Sequence, residues 1–261
     1  MPDTPTPGKA SIPVIDILII THAILSGAAV LVPIAFVDDF LISAIRQNQV
    51  KVLAKYHQVT LSAEEVRLLT NVNSEGCWQG LLGVLKYPFK IVRQFIKVLE
   101  VKKSVETATH TYYSGILLNE VLRKGWYKRE NFNKIHQAIQ DTRRDVNKDL
   151  VREIFRSYLV INKENYALLA AWGKQLLEYL LSTSRVHVRG WFQRTRLIRK
   201  AVQENPETLF ERQPPQLAEL ARQIYENLNS NLLGIPQAQR QEMLERLAVA
   251  VHADENQAFT E

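Results

Sequence analysis

Glu106 and His110 stand four residues apart, a spacing that puts both side chains on one face of a helix and lets them reach a single metal ion. A di-iron bundle needs further carboxylates and a second Glu/His pair on neighbouring helices, and no second pair occurs in the 261 residues. The six histidines, His22, His57, His110, His136, His187 and His252, never form H-E-x-x-H or a pair at metal-ligand spacing, which excludes zinc-protease chemistry. Asp141, Asp145 and Asp149 recur every four residues around Arg143, Arg144 and Arg152. Such a face suits a paired-carboxylate acid/base site, with His136 nearby, or a salt-bridged exposed helix surface. Cys77 beside Trp78 is a nucleophile only if a base reaches it in space, and a lone cysteine otherwise acts as a small hydrophobe. No Gly-rich phosphate loop and no G-x-S-x-G elbow is present. The sequence therefore assigns no catalytic residue, no metal ligand and no cofactor, and its reading is non-enzymatic.

Charge gives a stronger signal. The segment Arg185–Lys200 carries Arg185, Arg189, Arg194, Arg196, Arg199 and Lys200 without an acid, next to Trp191 and Phe192. Residues 84–103 repeat the theme with Lys86, Lys90, Arg93, Lys97, Lys102 and Lys103 against Glu100. Cations beside aromatic rings suit phosphates with stacked bases, and equally a bilayer surface, where an amphipathic basic helix gains from apolar insertion and anionic headgroups together. From residue 204 onward ten acids (Glu204, Glu207, Glu211, Glu219, Glu226, Glu242, Glu245, Asp254, Glu255, Glu261) meet four arginines (Arg212, Arg222, Arg240, Arg246). Of the totals of 33 basic and 27 acidic residues, positions 1–203 thus hold 29 and 17, so the overall +6 conceals a strongly basic body that attracts polyanions or anionic lipid.

These groups must be positioned by helices. Hydrophobic residues make up 46% of the chain, enough for a folded core, and one cysteine rules out a disulfide framework and points to a reducing compartment. Residues 1–11, with three prolines and one glycine, read as a disordered lead. Residues 17–37 run without Asp, Glu, Lys or Arg, long enough for a bilayer. Asp16 and Asp38/Asp39 bracket the run, while Gly27 and Pro33 interrupt it. Three arrangements stay open for 12–37: a buried or inserted helical hairpin turning near Gly27 to Pro33, a core helix, or a span. Insertion would place Ile24, Leu25 and Leu31 in the apolar phase.

Asp38 or Asp39 is a suitable N-cap for an amphipathic helix with Leu41, Ile45, Val52 and Tyr56 on one side. Ser62 and Glu65 form a capping box for a short helix through Leu69. Residues 77–124 read as two long helices, the first kinked by Pro88 or carrying it in its first turn, the second ending at Gly125 as a C′ glycine. A helix with Phe132, Ile135 and Ile139 on one face follows; residues 148–161 continue it or form their own helix. Another runs from Asn162 to Leu181, and a connector leads into a helix at Trp191–Gln203. Two helices announced by Pro214/Pro215 and Pro236 make a hairpin.

Residues 32–69 resemble a pattern of bacterial EcsC-like and YcjF-like helical families. An apolar helix ends in a proline motif and an acid (Pro33, Asp38 or Asp39), and an amphipathic helix leads to Tyr56, Leu61, Ser62, Glu64 and Glu65. The resemblance implies a helical, membrane-associated protein and carries over no catalytic residue.

The expectation is an all-α protein, an irregular multi-helix bundle of nine to eleven helices with an apolar N-terminal helix or helical hairpin. Residues 12–205 form a basic helical body, and 206–261 an acidic C-terminal helical hairpin. The expected function is a scaffold-like membrane-associated protein that binds anionic lipid through Lys86, Lys90, Arg93, Lys97, Arg185, Arg189, Trp191, Arg194, Arg196 and Arg199. It would lie on the cytoplasmic side of a membrane, peripheral or shallowly inserted. The alternative is a soluble cytoplasmic adaptor whose acidic hairpin docks a protein partner, and nucleic-acid binding through 185–200 ranks third.

Overall fold

The computed structural model describes residues 13–31, 37–70, 89–183, 214–229 and 235–257, and every regular element among them is helical. The first, α1 (Val14–Ala29), is apolar almost all the way round, which makes it a helix for the centre of a bundle rather than its surface. It is followed by α2 (Val37–Tyr56), which packs on it, and by the short α3 (Ala63–Thr70), which packs on α2. Its most extensive packing is on the 35-residue α4 (Phe89–Arg123). Gly27 faces Ser104 and Ala108 of α4, whereas Ile19 faces Gly115, so the two helices run antiparallel. Both sit inside the molecule. Ile19, Ile20, Ile24 and Leu25 join Ala108, Ile116, Leu117 and Val121 in one continuous core.

Several polar groups on these two helices are buried with partners. Thr109 and Thr111 donate to the carbonyls of Val105 and Thr107 one turn back, and Ser104 Oγ donates to the Gly27 carbonyl at 2.8 Å across the helix pair. His22 Nδ1 donates to the Leu18 carbonyl at 2.8 Å and Nε2 accepts from Asn48 Nδ2 of α2 at 3.1 Å, which fixes the neutral imidazole.

Local rules set the boundaries. Ser62 N–H donates to Glu65 Oε2 at 2.7 Å and Glu65 N–H to Ser62 Oγ at 3.2 Å, the reciprocal capping box expected for α3. Tyr127 OH then donates to the other Glu65 oxygen at 2.7 Å. At the end of α4 the Gly125 N–H bonds the Leu122 carbonyl and the Trp126 N–H the Val121 carbonyl, with Gly125 at φ +67°. This is a Schellman cap, and it requires a residue that tolerates the left-handed region. The helices α5 (Phe132–Asp145) and α6 (Asp149–Arg156) follow, then one π-helical turn (Ser157–Ile161) and α7 (Lys163–Thr183). The Asn162 side chain accepts the Glu164 and Asn165 N–H groups to start α7.

Two further helices, α8 (Gln216–Asn229) and α9 (Ile235–Gln257), close the bundle. Leu217, Leu220, Ile224, Met243 and Leu247 enter the same core as α1 and α4. Packing of α8 is chiefly on α1 and that of α9 on α5. Arg240 reaches back from α9 to Asp16 of α1 at 3.3 Å, tying a basic residue of the acidic segment to the acid that opens the apolar helix.

Several expectations are corrected. The chain turns at Val30 and Leu31, inside the expected 27–33 window, but not at Gly27: α1 continues through it, and a Cβ there would lie 3.0 Å from the Ser104 carbonyl oxygen and 3.2 Å from Ala108 Cβ, so glycine permits the close approach of α4. Ile24 and Leu25 are both 0% exposed and Leu31 packs against the core, so in this fold they face protein, not an apolar phase. Asp38 and Asp39 fall in the first turn of α2, which begins at Val37, one residue before the expected cap. Tyr56 is 60% exposed; the inward face of α2 runs through Leu41, Ile45, Gln49 and Leu53. Residues 89–123 form one helix, with no break where a second was expected to begin. Burial of residues 104–122 by α1, α2, α5 and α6 carries the chain through a Thr-rich stretch that is weak on propensity. Pro88, Cys77, the 1–11 lead and the Trp191–Gln203 helix lie outside the described residues. No helix among the described residues is long and apolar enough to cross a membrane.

Candidate functional site

The densest gathering of chemistry-bearing groups among the described residues lies where α2, α5 and α6 meet α4. Arg46 shares the inward stripe of α2, four residues after Ile42 and four before Val50, and its Nε donates to Thr111 Oγ1 of α4 at 3.0 Å. Arg143 lies four residues after Ile139 on the apolar face of α5 and is only 8% exposed. Its Nη1 donates to Ser114 Oγ of α4 at 3.1 Å and its Nη2 to Gln140 Oε1. Thr111 and Ser114 are one turn apart, so the two guanidiniums are neighbours on α4. Neither makes an ion pair with a carboxylate among the described residues; each is held by neutral oxygens.

Two more cations close the site from the other side. The link from α5 to α6 is pinned by Tyr113, whose OH donates to the Asn147 carbonyl at 3.3 Å, and by Asn147 Oδ1, which accepts the Asp149 N–H. That fixes Lys148, whose Nζ donates to the Arg144 carbonyl, and Arg152, whose Nη1 donates to Asp149 Oδ1 at 3.0 Å on the solvent side. Arg152 Nε is buried without a partner, as are His110 Nδ1 and Gln49 Nε2, the last on a residue 2% exposed. Arg46, Gln49 and Ser114 also line a narrow cleft with Thr70 and Ile139, with room for about one water molecule.

The electrostatics follow from this crowding. Burial, then Arg143, Arg46, Lys148 and Arg152 in turn, push the His110 ring down to about 3, so it is neutral across the physiological range. Arg46 is lowered to about 10 by burial and by Arg143, against a pull upward from Asp39 of the same helix, which Lys103 of α4 meets at 3.3 Å. Burial and Arg144 lower Arg143; burial, Arg143 and Arg152 lower Lys148, against Asp145.

Most residues singled out by sequence pattern lie elsewhere or play other parts. Arg144–Asp141 at 3.6 Å and Arg152–Asp149 at 3.0 Å are three-residue pairs on an exposed face, whereas Arg143 turns inward away from that face. His136 stacks on Phe132 and contacts Gln140 instead of a carboxylate. No group of three or more His, Cys, Asp or Glu able to hold a metal ion occurs among the described residues, and the cations around His110 oppose a metal at the Glu106/His110 pair. Lys90, Arg93 and Lys97 fall on the first turns of α4, where the backbone but not the side chains is described. Lys86, Arg185, Arg189, Trp191, Arg194, Arg196 and Arg199 lie outside the described residues. An open depression at the end of α2, lined by Lys51, Lys55, Gln58 and Thr60, holds none of the buried unpartnered atoms.

The buried histidines make stability pH-dependent in a defined window. Burial lowers His22 to about 4 and His110 to about 3, while the unfolded chain protonates its histidines near 6.5. Between those values the unfolded state binds more protons, so stability is full above about 6.5 and falls as pH drops toward 4. His22 alone contributes at most about 3 kcal/mol to that fall. Thermal melts from pH 7 to 4.5, above the range where the carboxylates dominate, should show a steady decline that is shallower in His22→Gln; a flat profile would mean that these rings are solvated.

Comparison with protein-family models, with curated proteins and with solved structures finds no match for this chain.

Proposed function

We propose that the protein is a non-enzymatic, peripheral membrane-associated protein that holds to an anionic lipid surface by charge. The observation that carries this reading is the unbalanced positive charge: 29 basic against 17 acidic residues in positions 1–203, with Arg46, Arg143, Lys148 and Arg152 gathered at one place on α4. The burial of Ile24 and Leu25 in the core argues for electrostatic attachment over insertion, since no other described helix is as apolar as α1. The basic segments 84–103 and 185–200 belong to the same proposal as further lipid contacts, and the resemblance of 32–69 to membrane-associated helical families fits it.

Flotation with vesicles tests it. Binding to vesicles containing phosphatidylserine, none to pure phosphatidylcholine, and release by high salt are the expected results, because exposed charges are screened within about a Debye length. Equal binding to neutral vesicles, or no binding to either, overturns it. The second reading, a protein-docking surface, is favoured by one face of α9 on which exposed Glu242 and Glu245 flank Val249, 70% exposed.

A further inference from the structure

We infer that Arg46, His110, Arg143, Lys148 and Arg152 form a discrete binding site for a phosphate-like oxyanion, presented either as a lipid headgroup or as a free phosphate compound. Only the lipid source rests on the surface-binding reading.

The first argument is the charge imbalance within the fold. Arg46 on Thr111 and Arg143 on Ser114 hold two guanidiniums one turn apart on α4, next to His110, and Lys148 of the α5–α6 link and Arg152 of α6 add their charge at the same ring. The carboxylates that face them are peripheral: Asp39 is engaged by Lys103, Asp149 meets Arg152 on the exposed side, and exposed Asp145 acts on Lys148 alone among the four. Glu106, one turn before His110 on α4, makes no ion pair with any of the four among the described residues. Arg46 and Arg143 are desolvated with no carboxylate paired to either among the described residues, which raises the energy of the folded state, and a bound anion relieves both while drawing on the rim charges of Lys148 and Arg152.

The second argument is the donor inventory. Arg46 and Arg143 each present five N–H groups and spend one or two of them on neutral oxygens of Thr111, Ser114 and Gln140. Arg152 Nε and Gln49 Nε2 are buried donors with nothing to donate to, and His110 Nδ1 is a buried ring nitrogen without a partner. Buried polar atoms are nearly always satisfied, so several orphans in one neighbourhood mark a missing acceptor. A tetrahedral oxyanion has the oxygens and the fork-shaped complementarity to arginine that this set demands. Because the adjoining cleft holds about one water, an oxygen of the anion enters while the body of the ligand stays outside, which excludes a buried nucleotide base.

The test uses the full chain with inorganic phosphate at constant ionic strength, chloride serving as the control anion. Phosphate is expected to raise the melting temperature beyond chloride and to move the His110 ring resonance, assigned by its loss in His110→Gln. The double variant Lys148→Gln/Arg152→Gln removes the two rim cations without emptying the core; it should keep the wild-type circular dichroism and bind phosphate at least about tenfold more weakly. No stabilisation beyond chloride, an unmoved His110 ring, or unchanged affinity in the double variant overturns the site. Suppression of flotation on phosphatidic-acid vesicles by inorganic phosphate assigns the lipid source, and phosphate binding that leaves flotation unaffected assigns a free phosphate compound. Flotation without phosphate binding sinks the site and leaves the surface-binding reading standing; phosphate binding without any flotation does the reverse.

Discussion

Leu25→Asp should leave no folded protein in solution. Leu25 is 0% exposed on α1, in the core shared with α4 and α8. The substitution removes about 2–3 kcal/mol of apolar burial. It also forces a carboxylate either to desolvate or to take up a proton without a hydrogen-bond partner, a further cost of several kcal/mol. Together these reach the whole stability of a typical domain, about 5–15 kcal/mol. The contrast on the same helix is Val14→Asp: Val14 is 75% exposed, and its replacement should change stability by no more than about 0.5 kcal/mol. Soluble expression and circular dichroism of the two variants provide the measurement. If α1 entered lipid instead, Leu25→Asp would fold and lose only membrane binding.

The second large effect is at Gly115, where three helices converge. A Cβ there would stand 2.6 Å from Gln49 Nε2 of α2 and 2.8 Å from Ile19 Cγ2 of α1. Gln49 has a flexible side chain, but it is buried and cannot swing clear without losing its place beside Arg46. Ile19 can yield only if α1 moves away from α4. Gly115→Leu should therefore destabilise by about 3 kcal/mol or more, the upper range of overpacking, despite the better helix propensity of leucine. Gly125 makes the comparison informative. Nothing lies within 4 Å of a Cβ at that position, so Gly125→Ala pays only for its φ of +67°, about 1 kcal/mol. Denaturant melts that rank the two substitutions in the opposite order would contradict the packing of α1 on α4.

The parts of the fold that local chemistry determines were readable from the chain. Ser62 with Glu65, Gly125 after Arg123 and Lys124, and Phe132, Ile135 and Ile139 at helical spacing all lie where those patterns put them. Each is a short-range device whose physics is complete within a few residues. What long-range packing determines was not readable. An apolar run such as 17–37 has no periodicity to say which side faces what, and only the counterpart surfaces of α4 and α8 place α1 inside. The Thr-rich middle of α4 looks like a weak point because its stabilisation comes from four neighbouring helices.

The cationic cluster was missed for a related reason. Its members, at positions 46, 110, 143, 148 and 152, belong to five separate segments, α2, α4, α5, the α5–α6 link and α6, and each alone resembles a solvated polar group. A usable signal did exist: Arg46 and Arg143 both fall four residues after an isoleucine of the buried stripe, on the wrong face for a surface arginine. The Asp141/Asp145/Asp149 pattern drew attention to the same helices, but the exposed pairs it identifies lie on the outside while Arg143 points in.

On the proposed reading, α1 stays in the protein core and the molecule meets a membrane through charge alone. Fractionation of the intact protein tests this most directly, with the membrane pellet washed in turn by high salt, alkaline carbonate and detergent. The protein should sediment with membranes and leave them in the salt wash, because screening removes attraction between exposed charges but leaves inserted apolar helices in place. Retention through salt and carbonate until detergent is added would contradict it and return α1 to the bilayer.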